Sequence, residues 1–524
     1  MMHSFTRLTV FLCGLWAVTL LYGEMVAYWA AFWTCSWPQP RLSSSFPMTD
    51  HYVTVAVLAD PQLMDRTSHG LPPKSLLLEA AQFYTDLYMR RSFHSSILPF
   101  KPDLIVFLGD QFDGGPFLSD EEWQESLNRF KHIFSLNEKG RDLAIPIYYL
   151  SGNHDIGYAG FHSQYPKVIS HYEKEFGARN YQISVGKINF IVVDAQTLDG
   201  PKQGKETSLS WDFIKNISND APLNPKVLLT HIPLYRPNDT PCGSHRSSSV
   251  INQRISYAGT DHGISYQNYL SEETSNHLLD LIRPTLVLSG HDHDQCTVIH
   301  STPSGTVTEH TVGTISWQQG NLYPSFMLLS ARSASSNSTN SEGAVSTNLC
   351  FLPMQTHIYI WYLTQFVITL VLIIMWPTNG LGLSDKCMSY IRAMKNNLMS
   401  TSKEKDEEEN CEYEMVWDAD GSMHLVKKAR TTVSTPKSDT GFTGRRKVVS
   451  RPTAKKHLQE AEASVSVDLS WESKPEDTAK VQRPSKSKVR TVVQRLFRLR
   501  LLVIVAAVNV PLYMMLLFKD WIDR

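Results

Sequence analysis

Four aliphatic runs in this chain each stop at a short polar motif, and that coincidence restricts the fold more than any other feature. Val53 to Ala59 runs into Asp60, Leu104 to Leu108 into Gly109, Asp110 and Asp113, Val227 to Leu229 into His231, and Leu286 to Leu288 into His291 and His293. A further motif, Gly152 with Asn153, His154 and Asp155, stands between the second and third of these in chain order. Aliphatic runs of this length bounded by turn residues read as buried strands. Each polar group therefore sits where a buried strand ends, which is where open α/β sheets hold ligands.

The residue types at those ends are the ones a pair of cations needs. Two metal ions about 3.5 to 4 Å apart require a shared carboxylate, further oxygen and imidazole ligands on each side, and room for a bridging water. Asp110 is the natural bridge. Asp60, Asp110 and His293 are assigned to one metal, and Asp110, Asn153, His231 and His291 to the other, with Asn153 binding through its carbonyl oxygen. That leaves His154 unligated beside the pair, suited to steadying transition-state charge or protonating a departing alkoxide, with Asp113 as the partner that fixes its tautomer. Gly109, Gly152 and Gly290 fit turns where backbone passes close to the metals. Nitrogen and oxygen ligands without thiolate admit Mn, Fe or Zn. Taken singly, each motif is more often a turn or a satisfied core residue; their order and strand contexts overturn that reading.

The pattern of a first aspartate, GD, GNH, a lone histidine and GHxH resembles the calcineurin-like metallophosphoesterase superfamily over roughly Val53 to Trp317. The resemblance implies an α/β fold, a four-layer αββα sandwich, and hydrolysis of a phosphodiester by a bridging hydroxide. One departure is Gln62, where many members carry histidine. An amide oxygen is a weaker ligand than an imidazole, so Gln62 is either a weak ligand or a hydrogen-bond partner of a metal-bound water. A second is Gly114, where the superfamily's protein phosphatases place arginine, which counts against a phosphoprotein substrate. Around the site, Arg236 is a candidate phosphate clamp, and His262 and Tyr266 are candidate substrate contacts.

Composition bears on the compartment. With 50 Lys and Arg against 51 Asp and Glu, no global charge points to nucleic acid. Apolar stretches at 8–33, 358–376 and 499–518 approach the roughly 20 residues that span a bilayer. They divide the chain into a cytoplasmic N-terminus (1–7), a first span or signal anchor, a lumenal phosphoesterase domain (50–350), a second span, a cytoplasmic and largely disordered segment (377–498), and a third span. Glu24 interrupts the first stretch and is expected at the far interface of a span ending near Tyr22; a cleaved signal peptide is the alternative. Lys386, Arg392 and Lys395 after the second span, with Lys486, Lys488, Arg490, Arg495 and Arg498 before the third, make that segment cytoplasmic by the positive-inside rule. The sequons at Asn216, Asn238 and Asn337 then fall on the lumenal side. Cys35, Cys242, Cys296 and Cys350 could pair in any of three connectivities there, while Cys387 and Cys411 stay reduced. Cys296 is expected in packing or a disulfide and not as a ligand.

Within the domain, Ser119 to Phe134 reads as an amphipathic helix with Trp123, Leu127, Phe130 and Phe134 on its inner face. In the polar tail, the island Tyr413 to Val426 is a candidate dock for a cytosolic partner. The runs ADPQLMD, LPPKS, QFYTDLYMRRSF, FLGDQFDGGP and THIPLYR narrow the resemblance to the membrane-anchored metallophosphoesterase 1 branch, related to fungal cell division control protein 1 and the post-GPI-attachment phosphoesterase. That branch implies a Mn-dependent multi-pass enzyme of the endoplasmic reticulum and Golgi, acting on a GPI glycolipid or GPI-anchored protein. It would remove ethanolamine phosphate from a mannose and license export. The long tail looks like that of plant members, and its role does not carry over. The rival readings are a lumenal phosphodiesterase acting on another lipid or on a nucleotide, and a non-catalytic membrane scaffold.

Overall fold

The computed structural model of the chain describes residues 2–39, 52–136, 145–160, 162, 165–186, 188–219, 224–258, 263–332, 345–376, 413–417, 423–427, 493 and 495–522. Two sheets carry the site. The first has the order Val345–Phe351, Ser325–Arg332, Tyr52–Leu58, Leu104–Phe107, Ile147–Tyr149, and its last three strands are mutually parallel. The second has the order Cys296–Thr302, Gly305–Thr311, Leu286–Ser289, Lys226–Thr230, Ile188–Val193, Tyr181–Val185, with a parallel centre.

Strand periodicity explains why the sheets pack in layers. Successive side chains point to opposite faces, so Val53, Val55 and Val57 of one strand face inward with Val227, Leu229, Leu286 and Leu288 of the other sheet in one buried cluster. The alternate residues Ala56 and Leu58 face outward, against Tyr88, Met89 and Phe93 of one helical layer and Leu127 and Phe130 of the helix Asp120–Ile133. On the opposite outer face Ile191, Leu228 and Val287 meet Ile214 and Ile217 of Lys205–Asn219 and Leu278 and Ile282 of Glu272–Ile282. The result is the helix–sheet–sheet–helix order the sequence implied. Because both faces of the central strands are covered, they read as continuous apolar runs. The helix Asp120–Ile133 begins as expected: Ser119 accepts from the Glu122 amide, and Glu122 reaches back to the Ser119 amide, a capping box.

Among the described residues three helices, Phe5–Thr34, Gln355–Met375 and Arg495–Trp521, are long and apolar enough to cross a membrane, and they overlie the apolar stretches 8–33, 358–376 and 499–518 except for Trp376. The first does not stop near Tyr22. It continues through Glu24 in a π-helical turn, Tyr22–Val26, to Thr34. Glu24 is tolerated there because it is buried against a partner, pairing with Arg91 at the end of the helix Leu76–Arg91 and accepting a 2.9 Å hydrogen bond from Tyr362. Arg91 also meets Asp520 at 3.1 Å and the Leu516 carbonyl at 2.7 Å, so one guanidinium joins the domain to the first and third helices. Such π turns recur where one helical residue is forced out of register for a purpose.

Disulfides settle the cysteine pairing as Cys35–Cys350 and Cys242–Cys296. Residues 375–497 belong to a separate unit. In it Tyr413–Trp417 pairs antiparallel with Met423–Lys427. The island Tyr413 to Val426, expected only as a docking patch, thus overlaps a two-stranded ribbon that runs one residue further, in keeping with the alternation Tyr413, Met415, Trp417.

Candidate metal centre

All five motifs arrive at the C-terminal ends of parallel strands in the two sheets: Asp60 after Tyr52–Leu58, Asp110 after Leu104–Phe107, Asn153 and His154 after Ile147–Tyr149, His231 after Lys226–Thr230, and His291 and His293 after Leu286–Ser289. Side chains of Asp60, Asp110 and His293 lie close enough to share one cation, and those of Asp110, His231 and His291 a second. Asp110 belongs to both groups, as the assignment from sequence required. Asn153 joins the second, its Oδ1 standing 3.1 Å from His231 Nε2.

The turns that present these groups are strained. Asp60, Gln62, Asp110, His291 and His293 all have positive φ, five of the eleven non-glycine residues that do among those described. Left-handed backbone at a non-glycine residue persists only where the surroundings fix it, and it concentrates at functional sites. The surroundings here are explicit. The Gln62 amide donates to the Asp110 carbonyl at 2.8 Å, the Asp60 carboxylate accepts from the His291 amide at 3.1 Å, and Asp110 Oδ1 accepts from the His154 amide at 2.8 Å. Asp155 clamps two turns together, accepting from the Gly152 amide at 2.8 Å and the Phe112 amide at 3.1 Å. Gly152 is obligatory, since a Cβ there would stand 2.0 Å from Asp110 Oδ1.

Electrostatics fit a cation pair. Asp60 and Asp110 are fully buried. Burial, only partly opposed by His231, pushes Asp60 up to about 7. Burial acts the same way on Asp110, but His231 and His154 outweigh it and hold that carboxyl far below its usual range. Burial also drives His291 well down and His293 down to about 4, leaving both as neutral imidazoles, the form that binds metal. His231 Nδ1 is engaged by the Leu108 carbonyl at 2.7 Å and His293 Nδ1 by that of Gln319 at 3.3 Å, which directs each Nε2 inward, as a carbonyl on the far ring nitrogen does for ligating histidines. At His231 burial is outweighed by Asp110 and Asp60, which raise that ring to about 9, so a divalent cation would take the place of its proton and relieve the lifted Asp60 carboxylate.

Gln62 donates from Nε2 to Asp110 Oδ2 at 3.1 Å, so it orients the carboxylate common to both groups. His154 lines a cavity of about 440 Å³ beside the cluster, walled by Phe117, Tyr158, Tyr266 and Tyr269. Burial lowers its proton affinity, and Asp110 and Asp113 raise it by more, giving a net upward shift. The partner that fixes its tautomer is not the expected carboxylate. Nδ1 bonds the backbone carbonyl of Asp113, whose Oδ1 lies further off at 3.4 Å while Oδ2 accepts from Ser68.

Of the candidate substrate contacts, Tyr266 lines the cavity. Arg236 does not. It is 1% exposed, its guanidinium lies 4.1 Å from the Tyr269 ring centre, and Asp292 and Thr311 flank it at 3.6 and 3.3 Å. The side chain is turned inward against Tyr269, which lines the cavity, so the arginine backs a cavity wall. His262 lies outside the described residues. Tyr158, Tyr269 and Asn268 complete the wall and were missed, since isolated aromatic and amide residues carry no spacing signal; Tyr158, four residues beyond His154, was the one within reach.

Residues 53–295 match the family model for calcineurin-like phosphoesterase. The chain carries a calcineurin-like metallophosphoesterase domain and is a metal-dependent phosphoesterase of the class that works with two divalent ions. It is 28% identical over 361 residues to cell division control protein 1 of Saccharomyces cerevisiae, covering 66% of this chain and 70% of the yeast protein. It is 27% identical over 417 residues to metallophosphoesterase 1 of Rattus norvegicus, covering 74% and 96%, and 27% identical over 327 residues to the Drosophila melanogaster homologue, covering 59% and 80%.

Proposed function

We propose that this chain is a membrane-anchored phosphodiesterase that removes ethanolamine phosphate from a mannose of GPI anchors, facing the lumen of the endoplasmic reticulum and Golgi and working with Mn. The observation that carries this reading is a partly exposed His154 set between a buried carboxylate–imidazole cluster and an aromatic-walled cavity, in a domain tied to three apolar helices. When bound, two divalent cations supply an acidified water as nucleophile and polarise the phosphoryl oxygens.

The residues of the chain do the rest. Asp60, Asp110, Asn153, His231, His291 and His293 would hold the ions, and Gln62 keeps Asp110 in the bridging orientation. With Nδ1 tied to the Asp113 carbonyl, His154 has Nε2 left to give a proton to the departing sugar or ethanolamine oxygen, and the neighbouring carboxylates favour the protonated ring. Phe117, Tyr158, Tyr266 and Tyr269 offer flat apolar walls for a sugar ring, with Asn268 as a polar contact among them. The tail from 377 to 498 is assigned to the cytosol, where its basic flanks favour it, and is open to cytosolic partners.

The test is hydrolysis by the purified full chain with Mn of a GPI glycan bearing ethanolamine phosphate, beside a glycerophospholipid and a nucleotide diester. Release of ethanolamine phosphate from the glycan alone is expected; turnover confined to the lipid or nucleotide would replace the substrate. In sealed microsomes the domain should resist added protease while the tail near Lys403 is cut, and the reverse pattern would invert the topology.

A further inference from the structure

The first and second apolar helices touch closely at one level. A Cβ at Gly23 would lie 2.1 Å from the Tyr362 hydroxyl. Hydrogen bonds hold the pair along one side, from Trp16 to Thr369 at 3.0 Å, Thr19 to Gln365 at 2.8 Å and Tyr28 to Gln355 at 3.1 Å. Beside this seam the helices leave a cavity of about 1010 Å³, lined by Leu15, Val18, Tyr22 and Ala30 from one and Ile358 and Trp361 from the other. From Leu15 to Thr34 the first helix contributes about 28 Å of wall at 1.5 Å per residue. Close-packed proteins leave few voids, and a space of this size is that of a ligand site.

The groove changes character at its domain end. There it is lined by Thr34, Ser244, His245, Tyr323 and His357. Of these, Thr34, Ser244, His245 and His357 are exposed and Tyr323 is 38% exposed, so each can meet a ligand. Hydroxyl and imidazole groups of Ser244, Tyr323, His245 and His357 gather at that end, while along the rest, where Thr19 and Tyr362 donate their hydroxyls to Gln365 and Glu24, the walls are mainly aliphatic and aromatic, a pattern that matches a molecule with one phosphate head and long apolar tails. The walls are themselves helices of membrane-crossing length and apolarity, so the groove is continuous with the acyl region they would sit in. We propose that it is a binding site for a two-chain glycerophospholipid of the bilayer, its tails between the helices and its phosphate beside His245 and His357.

The head-group end shares a loop with the metal centre. The His245 ring packs 5.3 Å from Phe351, and the next residue, Arg246, forms two 2.8 Å bonds to Asp292, which stands between His291 and His293. The amides of Ser247 and Ser248 bind Asp294 at 2.8 and 2.7 Å, and the Cys242–Cys296 disulfide ties the same loop down. A phosphate held at His245 therefore rests on the segment that braces the histidine turn.

The test needs no phosphoester substrate. The full chain is reconstituted in phosphatidylcholine nanodiscs containing a tail-diazirine phosphatidylcholine, irradiated and mapped, and in parallel it is washed in detergent and weighed by native mass spectrometry. One retained glycerophospholipid per chain is expected, with labels at Tyr22, Ile358 and Trp361. In Ala30→Trp, which fills the groove from an exposed position, retention and labelling there should fall about tenfold or more. Leu363→Trp, at a 65% exposed position outside the groove, should retain lipid as the wild type does. His245→Ala should weaken retention several-fold with tail labelling kept, and matched unfolding temperatures would exclude misfolding. Equal retention in Ala30→Trp and Leu363→Trp, recovery of single-chain lipid only, or no retained lipid in the wild type would each overturn the proposal.

Discussion

Replacing His154 by alanine removes an imidazole that, among the described residues, lies beside the metal cluster and belongs to neither ligand group. Its Nδ1 is tied to the Asp113 carbonyl, so Nε2 is the atom left to act on substrate. A positioned general acid contributes about 10² to 10⁴ in rate, or about 3–5 kcal/mol of barrier at 1.36 kcal/mol per tenfold. On a diester with a strongly basic leaving alkoxide, such as ethanolamine phosphate on mannose, that whole loss should appear in kcat. On a p-nitrophenyl diester, whose leaving group needs no proton, the variant should stay within about tenfold of wild type. The carboxylate of Asp113 sits 3.4 Å from Nδ1 while the carbonyl of the same residue holds the tautomer. Asp113→Asn should therefore show the same bias in weaker form, about 1 kcal/mol, the scale of a partly exposed ion pair. Added to His154→Ala it should cost little more, because residues acting as a unit are not additive. Steady-state kinetics of the three variants on both substrates, with metal content measured alongside, decide the matter. Equal losses on the two substrates would refute the acid role, and loss of bound metal in His154→Ala would refute the separation of His154 from the ligands.

Other expectations concern the frame around that histidine. Asn153→Ala should lower occupancy of one ion and Asp110→Asn that of both, since only Asp110 belongs to both groups, as read by elemental analysis. Gln62→Ala, which frees Asp110 Oδ2 from its 3.1 Å donor, should weaken metal affinity about tenfold or more, the cost typical of losing such an outer contact. Cys242→Ala with Cys296→Ala opens a loop closed over a separation of 54 residues, which the chain-entropy model values at about 4 kcal/mol, so thermal unfolding should shift down clearly. Ser119→Ala should cost about 1 kcal/mol by removing a helix cap, with turnover unchanged.

What could be read from sequence was what local chemistry fixes. Asp60, Asp110, His231, His291 and His293 were legible because an aliphatic strand that ends in a metal-type side chain is an unusual local pattern, and a parallel sheet brings such ends together. The Ser119 cap and its inner face were legible for the same reason. Arg236 was misread because its position after His231 says nothing of the inward turn that places it under Tyr269. Glu24 was misread as an interface residue because its partner, Arg91, lies 67 positions away. The anchor of His154 was misassigned because any residue at 113 supplies a backbone carbonyl, and side-chain identity hides that atom.

In the proposed function one buried cluster holds two ions, and hydrolysis of the diester depends on both. The decisive experiment counts metal in the purified full chain while following diester hydrolysis through chelation and stepwise Mn return. Two ions per chain are predicted, with turnover vanishing on chelation, returning as the second ion binds, and absent at every metal level in Asp110→Asn. Full turnover with less than one ion per chain, or undiminished turnover in Asp110→Asn, would contradict it.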